Sequence, residues 1–232
     1  MKKGDLRRGQ ILDTAEALFF EQGYDRTSIQ DILNRLGISK GGFYHYFDAK
    51  ETVLREICER RWTAQFDRVR MELYSGRLHP IEKLNLLMRL ANLFENEDAH
   101  FAALMLKICY RDRDVAIRDY RRRILIAKVT EYLSDALVEG VSQGALHTRH
   151  PQETAKLLLP LACDINDEAC DLLASQPENP DRMLRVIELL NVYREGVELL
   201  SGAPYGTVVL FEAGALVAAW QRATEELDRL EG

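Results

Sequence analysis

Apolar residues recur three and four positions apart along nearly the whole chain, the period of helices that turn one face to a core, and no run alternates as a strand would. Over residues 6–22, Leu12, Ala15, Leu18 and Phe19 share a face that stops before Gly23. A second short helix carries Ile29, Ile32, Leu33 and Leu36, with Thr27 and Gln30 in capping-box spacing at its start and Gly37 at its end. Ile38 plugs the turn, and Ser39 is placed to cap a third helix beginning at Lys40. Two short helices joined by so tight a turn have the grammar of a helix-turn-helix.

A fourth helix, with Asp48 and Glu51 again in capping-box spacing, runs through Leu54, Cys58, Trp62, Phe66, Val69 and Leu73, as a rod leaving a small head would. Helical periodicity continues over 81–95, 98–110, 114–141, 151–175 and 181–201, and VVLFEAGALVAAW predicts a last helix. The expectation is an all-α chain: a three-helix head of residues 1–50, and a larger helical body of residues 51–232. Helix 181–201 is apolar over most of its circumference, so it must be covered on two sides. Paired with 151–175, it predicts an isologous four-helix interface between two copies, built from Leu157, Leu161, Met183, Ile187, Leu190 and Val197.

Composition narrows the classes. The 232 residues are 47% hydrophobic and 29% charged, enough for an ordinary core. No apolar run reaches the roughly 18 residues of a membrane span, and the expected location is the cytoplasm. Cys58, Cys109, Cys163 and Cys170 form no CxxC pair and read as reduced core residues. His147 and His150 lack further ligands nearby, so neither a metal nor a cofactor is expected. Net charge is -6; residues 1–62 hold eleven basic and ten acidic residues, so the acidity lies in the remainder.

The stretch SKGGFYHYFDAKETVL carries the chemistry. Gly41 and Gly42 each cost about 1 kcal/mol against alanine inside a helix, but they leave a face able to approach a groove wall closely. Lys40, Tyr44 and His45 project around that face, while Phe43 and Phe47, four apart, anchor inward. The tyrosines suit packing beside a core while donating to phosphate. Lys50 in a first helical turn opposes the helix dipole, which a nearby phosphate would explain. Catalytic motifs are weak by comparison. Gly140-Val141-Ser142-Gln143-Gly144 fits the G-x-S-x-G pattern of a hydrolase nucleophile, yet that turn needs a preceding strand and here follows a helical pattern. No Walker A or GxGxxG sequence is present, and an enzyme is not expected.

Residues 6–54 resemble the DNA-binding head of the TetR family of bacterial transcriptional regulators, with Gly37-Ile38-Ser39 in the turn and Tyr44, Phe47, Lys50 and Leu54 at the family's spacing. Leu33 and Leu36 depart from its usual alanines, and Gly42 from a small hydroxyl residue. The resemblance implies a ligand-responsive repressor that binds a palindromic double-stranded DNA operator as a homodimer. It implies that Thr27, Ser39, Tyr44, Tyr46 and Lys50 hold the DNA backbone, and that Lys40, Gly41, Gly42 and His45 lie nearest the bases. The body would supply dimerisation and an effector pocket, since sites between helices are apolar with a few polar groups. Candidate lining residues are Met88, Phe94, His100, Phe101, Leu104, Met105, Ile108, Cys109, Tyr132 and Asp164, suited to a hydrophobic or amphipathic small molecule. The alternative is a helical scaffold using its aromatic helix for protein contacts.

Overall fold

Chain breaks fall where backbone chemistry demands them. In the computed structural model, which describes residues 3–93, 98–175, 181–211 and 213–231, helix α1 (Lys3–Gln22) is followed by α2 (Ile29–Leu36) and α3 (Lys40–Tyr44). The cap of α2 lies one residue later than the Thr27–Gln30 spacing suggests. Ser28 N donates to Asp31 Oδ2 at 2.8 Å, and Asp31 N donates to Ser28 Oγ at 3.2 Å, completing the capping box. Thr27 is otherwise engaged: its hydroxyl is buried and donates to Gly23 O at 2.7 Å, tying the end of α1 to the start of α2. A carboxylate takes the reciprocal role better than Gln30, and its bonds with Ser28 hold the Asp31 carboxyl below its ordinary pKa.

Gly37 ends α2 at φ 62°, and its N–H and that of Ile38 return to Asn34 O and Leu33 O. Ser39 then caps α3, accepting from Gly42 N at 3.2 Å. Helix α4 (Lys50–Leu73) is capped by extended Ala49, not by Asp48, whose carboxylate is taken by the Thr52 hydroxyl. Ile11, Leu12, Phe19, Ile32, Phe43 and Phe47 are buried together with Val53, Leu54 and Ile57 from the first turns of α4. The head therefore closes only when the rod is present.

The body comprises α5 (Pro80–Arg89), α6 (Ala99–Leu106) extended by a π-turn at Lys107–Arg111, α7 (Val115–Ser142), α8 (Pro151–Ser175), α9 (Arg182–Ser201) and α10 (Ala213–Glu231). Among the described residues there is no strand. The VVLF part of the last segment is not helical; Val208 and Leu210 are buried there in an irregular loop, and α10 starts only at Ala213. One core joins the head to α6, α8, α9 and α10, with Cys58 Sγ 3.7 Å from Met105 Sδ. A second fills the space among α4, α5, α7, α8 and α9. The four cysteines are free and buried; burial pushes Cys163 up to about 11 and Cys109 and Cys170 up to about 12, so they stay thiols.

Gly140 to Gly144 is the end of α7, as the helical pattern before it requires: Ala145 N and Leu146 N both return to Gly140 O. At the end of α9, Gly202 takes φ 67°, and a Cβ there would meet the His147 backbone at 2.7 Å. Buried Glu198 accepts from Gly206 N, Val208 N and Arg194 Nη1, fixing the loop that follows.

Two glycine substitutions separate conformation from packing. Gly37→Ala meets open space, so it should lose only the left-handed backbone cost of about 1–2 kcal/mol. Gly202→Ala adds overpacking against backbone, a further ~1–3 kcal/mol. Urea denaturation of both should rank Gly202→Ala clearly lower; equal losses would show that the His147 contact is slack.

Candidate nucleic-acid interface and ligand cavities

The turn and caps just described leave one face of α3 facing outward. Lys40, Gly41 and His45 are exposed, Tyr44 is 47% exposed, and a Cβ on Gly41 would meet nothing within 4 Å. Phe43 and Phe47 are buried beneath them, their ring centroids 5.9 Å apart. Phe43 also meets the Tyr44 ring edge-on at 5.5 Å, so the core sets the direction of the exposed ring. His45 stacks edge-on against Tyr46 at 4.8 Å, and Tyr46 is half-buried with its hydroxyl beside Gly4 of α1. Ser39 and Gly42 sit at the start of the helix, the hydroxyl already accepting from the Gly42 amide. The arrangement offers a low, nearly bare surface with donors around it, suited to a groove.

Two of the expected backbone contacts are placed differently. Thr27 is buried, and its hydroxyl reaches Gly23 O rather than solvent. Lys50 does not project its charge outward: Nζ donates to Tyr24 O at 2.7 Å and Thr27 O at 2.9 Å, and lies 4.1 Å from the Tyr24 ring centroid. Burial lowers its pKa. Those carbonyls, rather than a phosphate, account for a cation at the start of α4, and they brace the α1–α2 turn from below.

The head is tied to the body by charge as well as by core. Glu16 of α1 is buried and accepts from Arg60 Nη2 and Arg61 Nε of α4, each at 2.5 Å. Arg61 Nη1 reaches Asp98 Oδ2 at 2.8 Å, while Asp98 Oδ1 caps α6 through Phe101 N. One acidic side chain of the head thus communicates with the first turn of α6.

Two cavities open in the body. The first, a small one of about 30 Å³, lies between α4 and α7 and is lined by Trp62, Phe66, Phe101, Arg121, Leu125 and Lys128 among others. The second, about 40 Å³, is lined by Met88, Ala162, Asn166, Leu190, Tyr193 and Phe211 among others. Of the expected lining residues, Met88 and Phe101 reach them. Leu104, Met105, Ile108 and Cys109 are consumed by the core. Tyr132 packs between Phe66 and Tyr74. His100 and Asp164 are exposed and paired with Glu226 and Arg122. Phe94 lies outside the described residues. Sequence reasoning missed Arg121, Asn92 and Asn166, all polar residues in otherwise apolar registers. Asn166 Oδ1 accepts from Leu93 N at 2.9 Å, while its buried Nδ2 finds no partner among the described residues.

On the outer side of α8 and α9, Leu157, Leu161, Leu184, Val192, Leu199 and Leu200 are exposed, Leu199 by 84%. Met183, Ile187 and Leu190, expected on that face, are half-buried against the protomer's own core, and Val197 is wholly inside it.

The family model for bacterial regulatory proteins of the tetR family matches residues 11–57, which span the helix-turn-helix. An HTH-type transcriptional repressor, KstR2 of Mycobacterium tuberculosis, is 32% identical over 138 residues, covering 60% of this chain and 66% of its own length, just short of two thirds. A TetR-family transcriptional regulator from Pectobacterium atrosepticum superimposes with a TM-score of 0.60 at 19% identity, over 88% of this chain and 100% of the other. A transcriptional regulator FadR from Bacillus subtilis does so with a TM-score of 0.54 at 20% identity, over 85% and 99%. Together with the capped turn and the bare face of α3, the family match identifies residues 11–57 as a head of the kind found in the bacterial regulatory proteins of the tetR family, on a body that shares the fold of such regulators.

Proposed function

We propose that this protein is a ligand-responsive transcriptional repressor that binds a palindromic operator as a homodimer. The observation that carries the reading is the outward face of α3, where Lys40, Gly41, Tyr44 and His45 are free of the fold that Phe43 and Phe47 anchor. In this reading residues 1–50 engage DNA and residues 51–232 hold the effector and the partner copy. Tyr44 and the Ser39 end of α3 hold phosphates, and Lys40, Gly41, Gly42 and His45 lie nearest the bases. Tyr46 adds its half-exposed hydroxyl to the backbone set, while Lys50 and Thr27 act from beneath by fixing the loop that presents α2.

The exposed apolar stripe of α8 and α9 supports dimerisation, since six large apolar side chains on one face are a liability in a monomer. The body cavities support an effector. The Bacillus subtilis FadR relative is seen in complex with stearoyl-CoA, which is in keeping with a ligand-holding body of this fold. Signal and reader are joined through the connection after α5. Arg121 Nη2 holds Ala91 O and Asn166 holds Leu93 N, and Asp98 farther along the same connection leads to Arg61 and Glu16. An occupant that shifts Ala91 or Leu93 therefore bears on the position of the head, and a coupling of about 1–3 kcal/mol is enough to change operator affinity some 5- to 150-fold.

The first test selects operator fragments from random DNA with the purified protein and measures affinity by fluorescence anisotropy. Tyr44→Ala should fold and dimerise normally and bind about tenfold or more weakly, the loss of one charge-assisted hydrogen bond. Affinity should also fall steeply from low to moderate salt; undiminished binding by Tyr44→Ala, or indifference to salt, would favour the scaffold reading. The second test is Leu199→Arg. An 84% exposed side chain contributes little to the protomer fold, so thermal stability of the isolated protomer should hold while sedimentation shows monomers and operator binding collapses. A variant that stays dimeric would move the interface elsewhere.

A further inference from the structure

The cavity between α4 and α7 has aromatic and aliphatic walls from Trp62, Phe66, Phe101 and Leu125, and yet it contains a buried cation. Arg121 is 8% exposed, and the one bond it makes among the described residues is from Nη2 to Ala91 O at 2.5 Å. No carboxylate among the described residues stands within ion-pair distance of it. Asp167, whose charge acts on it, is engaged by the Tyr110 hydroxyl at 2.6 Å and faces Arg118 at 3.9 Å. A guanidinium is a planar fork of donors that cannot shed its proton; the Ala91 carbonyl takes one of them, and the charge of Asp167 acts on it without a direct bond. What the fork lacks among the described residues is an anion in direct contact, the partner it binds best. The same helix brings half-buried Lys128 to the cavity two turns farther on, with Leu125 between them.

We propose that this cavity takes an organic carboxylate with a flat or extended apolar body, its carboxylate received by the Arg121 fork and its body lying against Trp62, Phe66 and Phe101. The proposal rests on the reading of the body as an effector domain and names the chemistry of its ligand. The planar fork of Arg121 matches the two oxygens of a carboxylate, and half-buried Lys128 adds positive charge to the same cavity. A neutral ligand would fill the volume and leave the guanidinium as it is. The bond that Arg121 now makes to Ala91 O is the one a carboxylate would compete for, which links occupancy to the connection leading toward Asp98.

The test uses the full chain and calorimetric titration with 2-naphthoate and decanoate, each compared with its neutral primary amide. The expected result is that at least one carboxylate binds about tenfold or more tightly than its amide. Arg121→Met should reduce that preference to near unity, and Arg121→Lys should restore part of it. If Arg121→Met does not fold, the acid-against-amide comparison on the unaltered protein and on Arg121→Lys decides. Equal affinities for acid and amide, no binding of either acid, or a preference that survives Arg121→Met would overturn the proposal. Operator affinity is measured on the same preparation without any probe. Intact operator binding with no carboxylate preference sinks the ligand assignment and spares the regulator, whereas a carboxylate preference without operator binding sinks the regulator and spares the site.

Discussion

Glu16 is the constraint on which the geometry of the head depends. It is a buried carboxylate on the inner side of α1, and it is held by two arginines from successive positions of α4. A carboxylate in that position is tolerable only while both partners stay in place, because removing one partner leaves a charge without solvent or counter-ion. The angle between α1 and the rod is therefore fixed by more than apolar contact. Arg61 divides its donors between Glu16 and Asp98, so the cap of α6 is set by the same side chain that sets the head. Apolar cores resist deformation but are indifferent to small rotations; a shared arginine is not, since its hydrogen bonds are directional.

The aromatic helix shows the complementary economy. Five residues make a helix far too short to hold itself together, so α3 owes its form to the Ser39 cap, the Gly37 turn before it and the two phenylalanines beneath it. That dependence frees its outer positions from any structural duty. Gly41 can be bare and Tyr44 can stand in solvent because neither is asked to stabilise the fold. Thr27 and Lys50 differ from the other residues expected to meet DNA: Thr27 is buried against Gly23 O, and two carbonyls and a ring hold Lys50, so both support the surface from beneath.

Much of this was legible in the sequence, and the residues that were not share a physical reason. Period-three-and-four apolar spacing located the helices, and glycine, proline and hydroxyl residues marked their ends, because those signals are local and written into backbone chemistry. Which of two adjacent hydroxyl residues caps α2 was not legible: Thr27 and Ser28 both qualify, and the choice is made by the end of α1, where Gly23 O awaits the threonine. The same holds for Val197 and Leu199 on α9. Both sit in an apolar register, but only the placement of α8 and of the loop after Gly202 decides that one is sealed inside and the other left 84% exposed. Cavity lining was hardest, since apolar residues that face a void and those that face each other follow the same pattern. Leu104 and Met105 read as lining and are core; Trp62 and Leu125, absent from the expected lining, reach the cavity.

Charge in an apolar register is the sequence signal that marks the cavity. Ile117, Arg121, Leu125 and Val129 or Lys128 follow one another down a single face of α7, and an arginine with buried Ile117 one turn before it and half-buried Leu125 one turn after is not there for solubility. A helix that served only to fill the body would place leucine at 121, which would pack the space and remove the need to desolvate a guanidinium. Under the proposed reading, an anion received by that arginine gains affinity from a charge already held away from water. The carbonyl that now satisfies part of the guanidinium belongs to the connection that runs on to Asp98, so relief of the buried charge and release of Ala91 are two sides of one exchange. Under the proposed reading, the stability given up at a single position of α7 is the source of the signal sent to α1.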